Sequence, residues 1–176
     1  MKRNVLYSLT CLAFATMIGG AVYEHLNLVP AWAAAPPLSL SMFQGEYGLK
    51  AETFWKIIHP VNLLLFIASL VMHWKSARRK PIAIVLGSYV AILAVTAVYF
   101  VPELISIITT PFAPVADAAL TARAQTWEAL SLVRLGVLVL LALILFMGST
   151  KDGTNNVGAI KRRKSVSQRS ALLQEN

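Results

Sequence analysis

The sequence predicts an all-α membrane protein, a four-helix transmembrane bundle, and three observations lead to that fold class. Of the 176 residues, 57% are hydrophobic and only 14% are charged, whereas soluble domains are nearer one half and one quarter. The apolar residues are concentrated in four stretches of about 20 residues, the length that crosses a bilayer as a helix. A single cysteine, Cys11, excludes a disulfide framework within the chain and a Cys-x-x-Cys redox pair.

The four predicted spans are residues 5–23, 54–74, 81–101 and 127–147. The first and third spans carry no charge. The second carries Lys56, His59 and Asn62 near its start, and the fourth carries Glu128 and Arg134 near its start. The charged residues within the spans therefore all lie near one end.

The uneven distribution of basic residues predicts the orientation of the spans. Twelve of the 16 Lys and Arg residues lie before span one, between spans two and three, or after span four. Because such segments stay in the cytoplasm, we expect both termini to be cytoplasmic, in a multi-pass protein of a bacterial inner membrane. The net charge of +8 is then an orientation signal and not a nucleic-acid footprint. Residues 1–148 form the predicted transmembrane domain, and residues 149–176 form a basic tail predicted to be disordered.

The start of the chain has a second interpretation. A basic beginning, an apolar stretch and then Ala31-Trp32-Ala33 resemble a signal peptide with its cleavage site. However, the apolar stretch is longer than in most signal peptides, and Glu24 and His25 lie between it and the site. An uncleaved first span is the favoured interpretation.

Two long connections, residues 26–51 and 103–125, are predicted on the outer side of the membrane. Both are rich in Pro, Ala and apolar residues, which predicts turns and short helices that form a small outer cap. The run from Leu104 to Ile108 is too apolar for a free loop. It either prolongs span three or lies at the membrane interface.

Ionisable residues occur near the outer end of every span. These are Glu24 and His25 in span one, His59 in span two, Glu103 after span three and Glu128 in span four. Because ionisable groups are costly in a membrane, each is a functional candidate. Imidazole and carboxylate groups ligate Fe, Cu, Mn or Zn, so the five residues form a candidate transition-metal site.

Most of these candidates also have a structural interpretation. Glu24 and His25 fit the headgroup interface, and Glu128 fits the start of a helix, where a carboxylate offsets the helix dipole. Arg134 lies deeper and needs a partner. It could form a structural salt bridge with a carboxylate, or its planar fork of donors could bind an anionic oxygen.

The histidines favour a polar site but not haem. His59 precedes Pro60, which removes a helical hydrogen bond and leaves polar backbone to be satisfied within the span. His59 and His73 are roughly 21 Å apart on one predicted helix, and a bis-histidine haem needs ligands from two facing helices. Only His25 remains as a third histidine, so haem is not expected.

The carboxy-terminal half carries a resemblance to a known family. The segments TAVYFVPE at residues 96–103 and RAQTWEALSLVR at residues 123–134 resemble the small four-span membrane proteins that include the anthrone oxygenases. Those proteins show an apolar third span ending in Pro and a polar residue, then Trp, a spacer and Arg. The resemblance covers residues 15–147. The chain departs from the pattern at Glu103, where Asn is common, and in its long first outer connection.

The resemblance implies an oxidoreductase that inserts oxygen into a lipophilic aromatic substrate such as an anthrone. In this hypothesis His59 is the base, Arg134 stabilises the resulting oxyanion and Trp127 forms an aromatic wall. Glu103, with the other outer carboxylates, orients these groups or binds a metal, in which case His25 joins His59 as a ligand. The cofactor is then either absent or a transition metal.

A second class of function stays open from the residues alone. The chain could be a non-enzymatic accessory or structural subunit, or a small transporter with a charged outer vestibule. The expected partners are membrane lipid and a lipophilic small molecule, and the sequence leaves the oligomeric state open.

Overall fold

The computed structural model describes residues 2–50 and 52–150, and every regular element in those ranges is helical. These two ranges contain six α-helices: α1 Lys2–Tyr23, α2 Val29–Ala33, α3 Glu52–Met72, α4 Arg79–Val95, α5 Val101–Ile108 and α6 Ala118–Met147. Two π-helical turns, Glu24–Leu28 and Thr96–Phe100, join α1 to α2 and α4 to α5. Short 3₁₀ helices cover Leu38–Phe43 and Gly148–Thr150. The rest of the predicted tail, residues 151–176, lies outside the described residues.

Within the described part of the chain, four helical stretches are long and apolar enough to cross a membrane: Lys2–Ala33, Glu52–Met72, Arg79–Ile108 and Ala118–Thr150. This confirms the all-helical, four-span prediction. Spans one, three and four lie inside these stretches. Span two ends at Met72 instead of Trp74, because hydrogen-bonded turns begin there and reverse the chain into α4.

The two predicted outer connections are shorter than expected, because helix replaces part of each. The first helical stretch continues past Tyr23 to Ala33, and the third continues to Ile108, so the apolar run 104–108 prolongs span three. Each extension contains a proline, Pro30 or Pro102, that the sequence pattern assigned to a helix end or a loop. A π-turn precedes each proline, and in it the backbone hydrogen bonds join residues five apart instead of four. The helix therefore continues past proline, which has no N–H to donate.

The four long helices pack in the cyclic order α1, α3, α4, α6, each against two neighbours. Their contact surface forms one buried apolar cluster that includes Phe14, Phe66, Tyr89 and Leu145. The short helices α2 and α5 both pack on α6. That contact forms a second buried cluster around Trp32, Phe100 and Trp127.

Polar contacts join the first and last described residues at one end of the bundle, called the terminal end below. Arg78, in the turn between α3 and α4, donates from Nη1 to Asn4 Oδ1 at 2.9 Å and from Nη2 to the Ser149 carbonyl at 3.2 Å. The Tyr7 hydroxyl donates to the Leu145 carbonyl. The polar residues predicted as functional candidates lie in the other half of the bundle.

Candidate functional site

A cavity of about 730 Å³ occupies the half of the bundle remote from the terminal end. Residues from all six α-helices and both π-turns line it, so it lies between the two buried clusters. Aromatic side chains form much of its wall: Trp32, Trp55, Tyr89, Phe100 and Trp127. Pockets for cofactors and drug-sized molecules have volumes of roughly 300–1,000 Å³, and this cavity is within that range.

Three buried aromatic rings close the floor of the cavity. Tyr89 lines the cavity, and its ring centre lies 5.5 Å from that of Phe14 and 6.0 Å from that of Phe66. Phe14 and Phe66 pack edge to face at 5.3 Å. None of the three is more than 1% exposed, so the rings separate the cavity from the terminal end.

His59 lies directly above this floor. Its Nδ1 atom is 2.7 Å from the Tyr89 hydroxyl oxygen, and its ring stacks on Trp55 with centroids 5.3 Å apart and planes 25° apart. Helix α3 stays continuous through Pro60, which leaves the Lys56 carbonyl without its helical donor. When Nδ1–H donates to Tyr89, the lone pair of Nε2 is available to accept a proton.

Trp55 links His59 to the first helix of the bundle. Its indole Nε1–H donates to Glu24 Oε1 at 2.9 Å. Glu24 opens the first π-turn and lines the cavity. A row of contacts thus crosses the site from Glu24 through Trp55 and His59 to Tyr89.

Neutral groups hold the guanidinium of Arg134. Nη1 donates to Thr96 Oγ1 at 3.1 Å, and Nη2 donates to Ser131 Oγ at 2.8 Å. The guanidinium carbon lies 4.1 Å from the centre of the Phe100 ring, a cation–π contact. No carboxylate oxygen within residues 2–50 and 52–150 lies within 4.0 Å of Arg134. The salt bridge considered from the sequence is therefore absent from the described part of the chain.

Glu103 lies elsewhere, outside the cavity wall. Its carboxylate accepts from Arg123 at two positions, Nε to Oε1 at 2.8 Å and Nη2 to Oε2 at 3.0 Å. The same guanidinium donates to Ser106 Oγ at 3.0 Å. Glu103 thus ties α5 to α6 at the surface, and the structure does not bring it near His59 or Arg134 as the sequence hypothesis required.

Trp127 lies in the cavity wall. It is 4% exposed, its ring centre is 5.4 Å from that of Trp32, and its indole N–H donates to the Phe100 carbonyl at 2.9 Å. Glu128, the next residue on α6, is not among the residues that line the cavity.

The five residues predicted as metal ligands do not form one cluster. Glu24, His25 and His59 line the cavity, whereas Glu103 and Glu128 do not. Across the described ranges 2–50 and 52–150, no group of three His, Cys, Asp or Glu side chains is placed to hold a metal ion. The Nδ1 atom of His25 is 2.8 Å from the Ala21 carbonyl oxygen, so it carries the proton, and the buried Nε2 has no hydrogen-bond partner among the described residues.

Several residues of the site were not predicted. Tyr89, Thr96 and Ser131 hold the two cationic or titratable groups in place, and Trp55 joins two helices. A signal for them exists in the sequence. Tyr89 and Thr96 are polar residues seven apart on an uncharged span, and Ser131 is three residues before Arg134, on the same helical face. Comparisons of the chain with protein-family models, with curated proteins and with solved structures give no match.

Proposed function

We propose that the protein is an integral membrane oxidoreductase of the anthrone-oxygenase type, which acts on a lipophilic aromatic substrate in the cavity. One observation carries the proposal: an imidazole and a guanidinium line the same aromatic cavity, and neutral side chains hold both. These are the groups needed to remove a proton from an acidic C–H bond and to stabilise the enolate that results. The aromatic wall suits a flat, apolar substrate.

In the proposed reaction His59 is the general base and Tyr89 is a positioning residue. Donation from His59 Nδ1–H to the Tyr89 hydroxyl fixes the tautomer in which Nε2 accepts the proton. Arg134 donates its remaining N–H groups to the oxygen on which negative charge develops. Because Thr96 and Ser131 hold the guanidinium in advance, little reorganisation is needed when the charge appears.

The two groups suit a substrate of several fused rings. Tyr89, which contacts His59, and Thr96, which contacts Arg134, are seven residues apart on one helix. At 1.5 Å per residue they are about 10 Å apart along its axis. A multi-ring substrate can contact both groups at once, with its reacting carbon at His59 and its oxygen toward Arg134.

The oxidation balances with molecular oxygen as the co-substrate. The methylene carbon of the substrate gives up two hydrogens and gains one oxygen atom as a carbonyl. The second oxygen atom leaves with the two hydrogens as water. One O₂ is consumed per substrate, and no further reductant is required.

The proposal includes an orientation in which both termini are cytoplasmic and the cavity lies in the outer half of a bacterial inner membrane. The distribution of basic residues supports it. Residues 34–50 and 109–117 then form the outer cap. Two contacts between these segments support that role, Asp117 N–H to the Pro36 carbonyl at 2.9 Å and Gln44 Nε2 to the Thr110 carbonyl at 3.3 Å. A reporter fused after Asn176 tests the orientation, since an external signal would contradict it.

The test of function is oxygen uptake by the purified protein with an anthrone as substrate. We expect anthraquinone and oxygen consumption in equal amounts, both lost in a His59→Ala variant that keeps its melting temperature. Glu128→Gln is the matched control, because Glu128 is polar and near the site but does not line the cavity. A folded wild-type protein without turnover would overturn the proposal and leave the accessory-subunit and transporter hypotheses.

A further inference from the structure

The cavity wall is exposed on one side only. Of the described residues that line it, those from α1, α2 and α6 are buried or half-buried. The exposed ones belong to α3 with the residues leading into it, and to α5: Leu49, Glu52, Lys56, Pro60, Val101 and Ile105. The cavity therefore opens where α3 and α5 face each other.

The packing of the helices explains this opening. Helix α3 packs against α1 and α4, whereas α5, which continues α4 through the second π-turn, packs against α6. The gap between α3 and α5 lies on the outer surface of the bundle. In a four-span protein that surface contacts lipid, because both flanking helices belong to membrane-spanning stretches.

We infer that this gap is a lateral portal, formed by Glu52, Lys56 and Pro60 on one side and Val101 and Ile105 on the other, through which a flat, apolar ligand passes from the bilayer into the cavity. The inference deepens the proposed function, on which its identification of the ligand as substrate rests. The portal itself is independent of the chemistry inside.

The residues on the α3 and α5 sides of the portal suit a lipid-dissolved ligand that carries one polar substituent. The α5 side is apolar, with Val101 and Ile105 exposed to 44% and 52%. The α3 side carries Lys56, whose Nζ is 3.9 Å from Glu52 Oε1, and Pro60 follows one turn later along α3. An apolar ring system can pass along the α5 side while a hydroxyl or carbonyl stays near the charged pair.

The end of the cavity remote from the terminal end is covered. The backbone of Asp117 is bonded to Pro36, and Gln44 is bonded to Thr110, so the two connecting segments are tied over it. Phe43, from the first of these segments, lines the cavity. Access between the helices therefore avoids these two segments for a molecule already dissolved in lipid.

The test uses the tryptophans of the protein as reporters. Of its four tryptophans, Trp32, Trp55 and Trp127 line the cavity, and Trp74 lies outside it with 57% of its surface exposed. In a Trp74→Phe variant all of the tryptophan fluorescence comes from the cavity wall. Bromonaphthalene, a flat aromatic quencher that partitions into lipid, is then added to proteoliposomes.

The portal is closed reversibly in the same background. One cysteine is introduced on each side of the portal, Lys56→Cys and Ile105→Cys, and Cys11→Ala removes the native thiol. A bifunctional thiol reagent that contains a disulfide then links the two new cysteines. We expect bromonaphthalene to quench the open protein, the cross-link to abolish the quenching, and reduction to restore it. Acrylamide, a water-soluble quencher, should have little effect in either state.

Two outcomes would overturn the inference. The first is unchanged quenching after mass spectrometry shows complete cross-linking, and the second is no quenching of the open, folded protein. Neither readout involves oxygen consumption. A protein that admits bromonaphthalene through the portal but oxidises no anthrone would therefore contradict the proposed function and leave the portal intact.

Discussion

His59 Nδ1 lies 2.7 Å from the Tyr89 hydroxyl oxygen, and this contact joins α3 to α4 on the floor of the cavity. It places a titratable ring between a stacked indole, Trp55, and a buried phenol. Both partners of the imidazole are neutral. His59 is therefore oriented without a neighbouring carboxylate, unlike the histidine of a hydrolytic triad.

Tyr89→Phe should lower turnover while the fold is kept. The substitution removes the hydroxyl that orients His59 but preserves the ring that packs on Phe14 and Phe66. We expect kcat to fall by about 10- to 100-fold and KM to change little. A positioned general base contributes a rate factor of about 10²–10⁴, and the orienting hydroxyl accounts for a part of it. Loss of one hydrogen bond should cost only about 1 kcal/mol of stability.

Tyr47→Phe is the control for that change, because Tyr47 is 94% exposed and does not line the cavity. Steady-state kinetics and a thermal melt in detergent measure both effects. A Tyr89→Phe enzyme with the pH profile and kcat of the wild type would show that the hydroxyl does not position His59.

Arg134→Met should abolish most activity without unfolding the protein. Because no described carboxylate lies within 4.0 Å of Arg134, its removal breaks no direct ion pair. Loss of a donor to a developing oxyanion costs about 10²–10³ in kcat. Arg134→Lys should recover little, since a single ammonium cannot reproduce the fork that bonds Thr96 and Ser131 together.

Arg123→Met is the matched control, since it removes an arginine from the same helix outside the cavity. It should retain near-wild-type turnover. A large fall in melting temperature for Arg134→Met, with little change for Arg123→Met, would instead indicate a structural role for Arg134.

Glu103→Gln should leave the proposed oxidation of an anthrone unchanged. Glu103 pairs with Arg123 at the surface of the α5–α6 contact and does not reach the cavity. An exposed ion pair of this kind stabilises a protein by about 0.2–1 kcal/mol. A double-mutant cycle with Arg123→Met, followed by thermal melting, should give a coupling in that range. A fall in kcat of an order of magnitude would restore Glu103 to the catalytic candidates.

The orientation of Glu103 relative to the cavity could not be predicted from the sequence. The spans were found because each is a long apolar run. The π-turn at residues 96–100 shifts the helical register by one residue, about 100° around the axis, and no hydropathy pattern reveals it. After that turn the cavity face of α5 consists of Val101, Leu104, Ile105 and Ile108, and Glu103 is turned away.

His59, Arg134 and Trp127 could be chosen as candidates from the sequence for a different reason. Each is a polar or aromatic residue near one end of its span. Because consecutive spans run antiparallel, these ends lie on the same side of the bundle. Their neutral partners were missed because Thr, Ser and Tyr are common in membrane helices. Only the packing of α4 against α3 and α6 distinguishes Tyr89 and Thr96 from other such residues.

Gly148→Ala should destabilise the terminal end of the bundle. A Cβ atom at Gly148 would collide with the Tyr7 hydroxyl oxygen and lie 3.0 Å from Pro81 Cγ. The Tyr7 hydroxyl is bonded to the Leu145 carbonyl, and Gly148 is itself buried, so the ring cannot move away without breaking that bond. We expect a loss of about 1–3 kcal/mol, the usual cost of overpacking.

Gly87→Ala is the matched control, since a Cβ there would meet nothing within 4 Å. In the middle of α4 the change should stabilise the helix by up to about 1 kcal/mol. Thermal melting of both variants in one detergent measures the difference. Because the cavity is separated from the terminal end by Phe14 and Phe66, anthrone turnover by Gly148→Ala at low temperature should match that of the wild type. Equal melting temperatures for the two variants would show that α1, α4 and α6 are not tightly packed at this end.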